Sequence, residues 1–170
     1  MSFAIRRYTD ADHAAARDLF IQVSRELAPP ALREAFETYV AVSLETEIGR
    51  LADYYAEKNG AFFVTYDGDK LVGMFELEYL GTPSAELRRM YVDAAYRRRG
   101  LARMMLDYAE RTCREAGTPL LTLSTSELQQ AALAFYRKAG YRLAREETGA
   151  AQSNKTVGGG IRRYHFEKKL

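Results

Sequence analysis

The chain has 170 residues, 47% of them hydrophobic, with 25 Lys and Arg against 23 Asp and Glu and a formal net charge of +2. That length fits one domain over residues 1–170, burying roughly 70% of the surface its unfolded chain exposes, so the core needs no staple. The near balance of charge argues against a nucleic-acid-binding domain, which is usually more basic, and the lone Cys113 excludes an internal disulfide.

The first residues, Met1-Ser2-Phe3-Ala4-Ile5-Arg6-Arg7, have no apolar core of signal-peptide length. No apolar run approaches the ~20 residues that cross a bilayer. The expectation is a soluble cytoplasmic protein with no membrane partner.

Residues 3–8 read as a first strand. Thr9 and Asp10 offer N-caps to a helix whose apolar positions are Ala16, Leu19, Phe20, Val23 and Leu27. Pro29-Pro30 stops or bends it. A second helical stretch places Leu32, Ala35, Phe36, Tyr39 and Val40 on one face and runs, with a break near Gly49, through Leu51 and Tyr55 to the stop at Asn59-Gly60. Three β-rich runs follow, Ala61 to Tyr66, Lys70 to Leu80 and Ala85 to Val92. They are separated by turns at Asp67-Gly68-Asp69 and Gly81-Thr82-Pro83, which predicts an antiparallel meander.

The period then becomes helical. Leu101, Met104, Met105, Tyr108, Ala109 and Cys113 form a stripe that ends at Gly117 and Pro119. Leu120 to Ser124 reads as a buried strand. Ser126 to Ala139 reads as a helix, with Gly140 at its C-terminal left-handed position and Ser126 and Gln129 as a capping box. Tyr141 to Arg145 and Ile161 to Glu167 read as closing strands. Thr148 to Gly160 between them reads as a mobile Gly-rich loop. The predicted order is β-α-α-β-β-β-α-β-α-β-β: an α/β fold with a mixed, mostly antiparallel central sheet flanked by helices.

Chemistry concentrates where a strand ends at Val92 and a helix begins after Arg97-Arg98-Arg99-Gly100-Leu101-Ala102-Arg103. A helix N-terminus presents unpaired N–H groups and a partial positive charge, which together bind anions. Gly100 and the small Ala102 leave the backbone accessible, and four arginines add positive potential. Neither the G-x-G-x-x-G nor the P-loop pattern is present. A solvated basic helix start is the plain structural alternative.

These residues resemble the GCN5-related N-acetyltransferase (GNAT) family. Its [Arg/Gln]-x-x-Gly-x-[Gly/Ala] pyrophosphate motif is matched by Arg97, Gly100 and Ala102. Leu87 to Asp93 looks like the family's fourth strand, and Ala134-Phe135-Tyr136-Arg137-Lys138-Ala139-Gly140-Tyr141 looks like its late "Leu-Tyr-x-x-x-Gly-Phe" segment. The motif-bearing likeness spans about residues 61–147.

The resemblance implies an acetyl-CoA-dependent N-acetyltransferase. Backbone amides of Arg98 to Arg103 would hold the pyrophosphate, and Met90 and Val92 would pair with the pantetheine arm as an added strand. One or more of the arginines would meet the 3′-phosphate. Tyr136 matches the position of the family's frequent general acid; by spacing alone it also fits a core tyrosine. Glu86 matches the glutamate that serves some members as base, and also reads as a salt-bridged or solvent-facing acid. Glu76, Glu78 and a base acting through water are alternatives. Gln129 stands where many relatives carry an asparagine.

Cys113, on an apolar stripe, reads as a buried structural thiol. His13 and His165 suggest no metal site. Such folds line the acceptor pocket with their first two helices, here about Ala28 to Glu57, where Glu34, Glu37, Glu45 and Glu47 read either as cation-attracting or as solvated. The expected partner is a small-molecule or peptide amine, with the protein a monomer or homodimer. A non-catalytic acyl-CoA-binding module is the second reading. Nucleic-acid binding is the third, opposed by Glu127, Glu146 and Glu147.

Overall fold

The computed structural model describes residues 2–81, 83–149 and 152–170. Strand β1 (Phe3–Arg7) leads into three helices, α1 (His13–Leu27), α2 (Arg33–Thr46) and α3 (Leu51–Glu57). The meander follows as β2 (Gly60–Asp67), β3 (Lys70–Tyr79) and β4 (Ser84–Val92). Then come α4 (Leu101–Glu115), β5 (Leu120–Ser126), α5 (Gln130–Lys138), β6 (Arg142–Gly149) and β7 (Ile161–Lys169). The second helical stretch is two helices joined by a 3₁₀ turn, Ile48–Arg50, at the break expected near Gly49.

The strands form one seven-stranded sheet in the order β1-β2-β3-β4-β5-β7-β6. Every pairing is antiparallel except β4 with β5. That parallel step is bridged by α4, whose amphipathic stripe covers the sheet as it crosses.

Strand alternation explains why both faces are covered. On β2, Ala61 and Phe63 enter a core shared with Leu101, Met105, Leu106 and Leu133 from α4 and α5. Phe62 and Val64 enter a second core with Leu19, Phe20, Val40 and Leu51 from α1, α2 and α3. On β3, Gly73 leaves room for α4: a Cβ there would lie 2.7 Å from the Met105 sulfur, so that side chain would have to shift. Among the described residues, no helix is long and apolar enough to cross a membrane.

Three expected boundaries move. Helix α5 begins at Gln130, not Ser126. Thr125 and Ser126 instead extend β5 against Tyr164 and Arg163, so Ser126 is not the helix N-cap and no Ser126–Gln129 capping box forms. Ser126 Oγ accepts from the Leu128 N–H at 3.3 Å, and the Gln129 side chain turns to Thr125. Strand β6 runs four residues further than Arg145, taking Thr148 and Gly149 out of the expected loop. The loop that remains carries a polar anchor at Asn154, described below; its Ala150 and Ala151 lie outside the described residues.

Candidate active site

Strands β4 and β5 pair at only four positions, Ser84↔Leu120 to Leu87↔Leu123. Beyond them β4 continues to Val92 along β3, while β5 continues to Ser126 along β7. The sheet therefore splits at its parallel step. A cleft of about 820 Å³ opens there, with walls that include Glu86, Arg88, Met90, Thr125, Tyr136 and Lys155.

A bulge shapes the β4 wall. Pairing with β3 shifts between Met74↔Tyr91 and Glu76↔Arg88, and Arg89 has φ +50. A non-glycine residue in the left-handed region costs energy that its surroundings must offset. Here the bulge sends two consecutive side chains to one partner. Arg89 Nε donates to Glu47 Oε2 at 2.5 Å, and Arg88 Nη2 to Glu47 Oε1 at 3.2 Å. Glu47 comes from the end of α2 and is fully buried. The Arg89 guanidinium also stacks on Phe20 and donates to the Tyr39 hydroxyl. The Asn154 carbonyl accepts from both arginines, at 3.3 and 2.6 Å, and its amide donates to Glu47 at 2.9 Å.

Glu76 and Glu78 of β3 join this cluster. Arg88 Nη1 lies 2.7 Å from Glu76 Oε1 and 2.8 Å from Glu78 Oε2. The Glu76 contact is close but poorly directed, and neither Glu76 oxygen makes a hydrogen bond of good geometry. Desolvation, reinforced by the Glu47 charge, holds the Glu76 carboxyl well above the usual carboxylate range. Burial pulls Glu47 the same way, but Arg89 and Arg88 outweigh it and hold that carboxyl below its ordinary value. Glu47 is thus a buried structural carboxylate, unlike the exposed Glu34, Glu37 and Glu45.

Glu86 sits at the cleft's edge. It pairs in register with Glu78 across the two strands, lies 3.6 Å from Arg88 Nε and 3.5 Å from Lys155 Nζ, and keeps 22% of its side chain exposed. Tyr136 enters from α5, buried in the core that backs the cleft, with its hydroxyl 3.8 Å from the Met90 sulfur. Burial pushes its phenol above the ordinary value. Tyr136, Glu86 and Met90 therefore line one cleft.

The turn before α4 lies outside the cleft lining, at the end of β4. Gly100 caps α4 with φ +80 and accepts the first helical bond from the Met104 N–H at 3.0 Å. No side chain caps this helix start, and a Cβ on Gly100 would meet nothing within 4 Å. The glycine is therefore needed for its left-handed backbone rather than for clearance inside the protein. Arg98 shares that conformation at φ +61. Two left-handed residues so close together curl the backbone into a concave turn of the kind that cups anions.

The arginines around the turn are only partly directed at it. Arg97 folds back, donating to the Val92 carbonyl at 3.1 Å and pairing with Glu26 of α1 at 2.7 Å. Arg99 lies over the Tyr96 ring, and Arg103 pairs with Asp107 along the helix. Leu101 is buried in the core behind the turn, while Ala102 is half-buried. Cys113 is buried and its thiol pushed up to about 11 by desolvation. Among the described residues, no group of three His, Cys, Asp or Glu side chains is placed to hold a metal ion.

Residues 26–141 match the acetyltransferase (GNAT) family. The chain belongs to that family. GNAT relatives include N-acetyltransferase 8F1 of Rattus norvegicus, 28% identical over 64% of this chain and 52% of that protein. Human N-acetyltransferase 8 is 25% identical over 65% of this chain and 51% of its own length. The chain thus spans about half the length of the curated relatives it matches. Among solved structures, the PaiA N-acetyltransferase of Thermoplasma acidophilum, in complex with coenzyme A, superposes with a TM-score of 0.73 at 21% identity, covering all of both chains. That likeness is one of fold.

The sequence reading missed the Glu47–Arg88–Arg89–Asn154 cluster. Its one visible signal is the Arg-Arg pair in a strand that alternation would otherwise make half apolar.

Proposed function

We propose that residues 1–170 act as one acetyltransferase domain that moves the acetyl group of acetyl-CoA to a primary amine by direct attack. Tyr136 is the acid and Glu86 the base. The observation that carries this reading is the cleft where β4 and β5 part, lined by the Tyr136 ring, Met90 and Glu86. Family membership supports acyl-CoA as donor, and so does the coenzyme A complex of the Thermoplasma relative.

The residues present suit such a donor. The uncapped N-terminus of a 15-residue helix, with Gly100 and Arg98 curled before it, fits a pyrophosphate held by the backbone amides of Arg98 to Arg103. Arg97, tied to Glu26 and the Val92 carbonyl, would steady this turn and the end of β4. Beyond its four pairings with β5, the far edge of β4 pairs with no other described strand, and there the backbone of Met90 and Val92 would take an added strand, with the Val92 carbonyl already accepting from Arg97.

Glu86 takes one proton from the ammonium. The freed nitrogen lone pair attacks the thioester carbonyl carbon, the new C–N bond forms and the C–S bond breaks. Tyr136 gives its proton to the departing sulfur, and the second proton of the nitrogen restores the phenol. The desolvation that raises the phenol acts equally on a thiolate beside it, so the two basicities rise together.

The test is free-thiol release from acetyl-CoA against a panel of primary amines, with the acetamide product identified by mass spectrometry. Acetyl-CoA binding without thiol release across the panel would leave a cofactor-binding module instead.

A further inference from the structure

Two carboxylates directly opposite each other on neighbouring strands repel. Glu78 of β3 and Glu86 of β4 are such a pair. Each keeps one oxygen on Arg88, through Glu78 Oε2 and Glu86 Oε1. Their other oxygens, Glu78 Oε1 and Glu86 Oε2, converge on a single ammonium, Lys155 Nζ, at 3.5 Å each. That ammonium belongs to the chain itself, on the β6–β7 loop, and lies in the wall of the cleft that holds Tyr136.

Charge counting shows why a cation is needed there. Among the groups in direct contact, Glu47, Glu78 and Glu86 carry three negative charges, while Arg88 and Arg89 carry two positive ones. Glu76, whose carboxyl is pushed toward its neutral form by desolvation and the Glu47 charge, is left out of that count. One negative charge is left over, and Lys155 balances it. Lys155 does so loosely: 3.5 Å exceeds the ~2.7–2.9 Å of a firm charge-assisted bond, and 44% of its side chain is exposed.

We infer that the acceptor amine binds as an alkylammonium between Glu78 and Glu86, displacing the Lys155 side chain, which serves as an internal stand-in for the substrate. This rests on the acetyl-transfer reading for the reaction that follows. It narrows the acceptor class to unhindered alkylammonium groups, such as a lysine side chain or an aminoalkyl arm. It also accounts for release. Once acetylated, the nitrogen is a neutral amide; when Glu86 then passes the proton it took to solvent, the carboxylates again need a cation, so Lys155 returns and expels the product.

The test uses n-pentylamine as the cationic probe and n-pentanol as its uncharged counterpart, titrated calorimetrically into the full chain. Lys155→Met removes the internal ammonium and keeps the stem. It should bind pentylamine at least ~10-fold more tightly than wild type, with pentanol unchanged within about twofold. Adding Glu78→Gln should return pentylamine affinity to the wild-type level or below. Glu86→Gln, at a partly exposed position, repeats that test if the buried Glu78 variant fails to fold. Equal pentylamine affinity in wild type and Lys155→Met, or an equal gain for pentanol, overturns the site. Acetyl-CoA titration of the same proteins separates the two readings: loss of the pentylamine pattern counts against the ammonium site, and failure to bind acetyl-CoA counts against the transfer reaction.

Discussion

The Tyr136 hydroxyl lies 3.8 Å from the Met90 sulfur, joining α5 to the bulged half of β4 across the split in the sheet. The weak sulfur acceptor leaves the phenolic proton available for transfer. Tyr136→Phe keeps the ring and its packing and deletes only that proton. With a primary alkylamine acceptor and saturating acetyl-CoA, kcat should fall by roughly 10²-fold, while the acetyl-CoA Kd changes less than about threefold. A kcat within threefold of wild type would reduce Tyr136 to a core residue.

Gly100 is constrained by its backbone. At φ +80 a β-branched side chain is strained even though the surrounding space is open. Gly100→Val should lower folding stability by about 1–3 kcal/mol and distort the turn. Acetyl-CoA affinity should drop at least ~10-fold, equivalent to about 1.4 kcal/mol. Gly100→Asn, which tolerates left-handed backbone, should recover most of the stability. Unchanged affinity in a folded Gly100→Val protein would mean that the phosphates bind elsewhere.

Glu76 yields a pH prediction of unusual sign for a carboxyl. Its folded-state pKa is raised, so the native protein holds a proton that the unfolded chain gives up above about pH 4.3. Its contribution is therefore lost as pH rises from that value to the folded pKa, by about 1.4 kcal/mol per pH unit. Glu76→Gln does not titrate. Urea unfolding should show the variant gaining on wild type as pH rises above about 5. Parallel curves would mean that Glu76 is ionised in the fold, paired with Arg88.

Asp12 works in the opposite direction. Arg6 grips it with two bonds of 2.8 Å, and the Thr9 N–H and Tyr66 hydroxyl donate to it at 2.8 and 2.7 Å. The Arg6 bonds in particular lower its pKa, so its contribution is complete above the unfolded value near ~4 and is lost as pH falls below it. Asp12→Asn should cost about 2 kcal/mol at pH 7. The gap to wild type should narrow below pH 4, as followed by denaturant unfolding.

The fold was legible wherever local pattern and tertiary packing agree. Of the α4 stripe predicted from Leu101, Met104, Met105, Tyr108, Ala109 and Cys113, four residues are buried together with Leu106, while Met104 and Tyr108 are partly buried. The meander turns at Gly68 and Gly81 carry positive φ, as the hairpin signals required. The start of α5 was misjudged because Ser126 is a good N-cap in isolation. Only pairing with Arg163, far along the chain, keeps it extended.

The chemistry of the cleft divides along the same line. Tyr136, Glu86 and Met90 could be named because they sit inside contiguous motifs. Glu47 could be named only as one of four acids, cation-attracting or solvated, because its partners Arg89 and Asn154 lie 42 and 107 residues away. An acid at the end of a helix resembles a solvated residue until the bulge brings two guanidinium groups to it. Asn154, in a stretch whose glycines and polar residues spell a loop, carries no local mark of the three side chains it ties together.

The position of β7 has a consequence for synthesis. It is inserted between β5 and β6, which do not touch each other in the sheet. The β1–β4 half has mostly local pairings and can assemble as it leaves the ribosome. Strand β6 has no other partner among the described strands, and β5 keeps an open edge until residues 161–169 have been translated. A nascent chain stalled before that point would present an unpaired strand edge, the surface on which chaperones and misassembly compete.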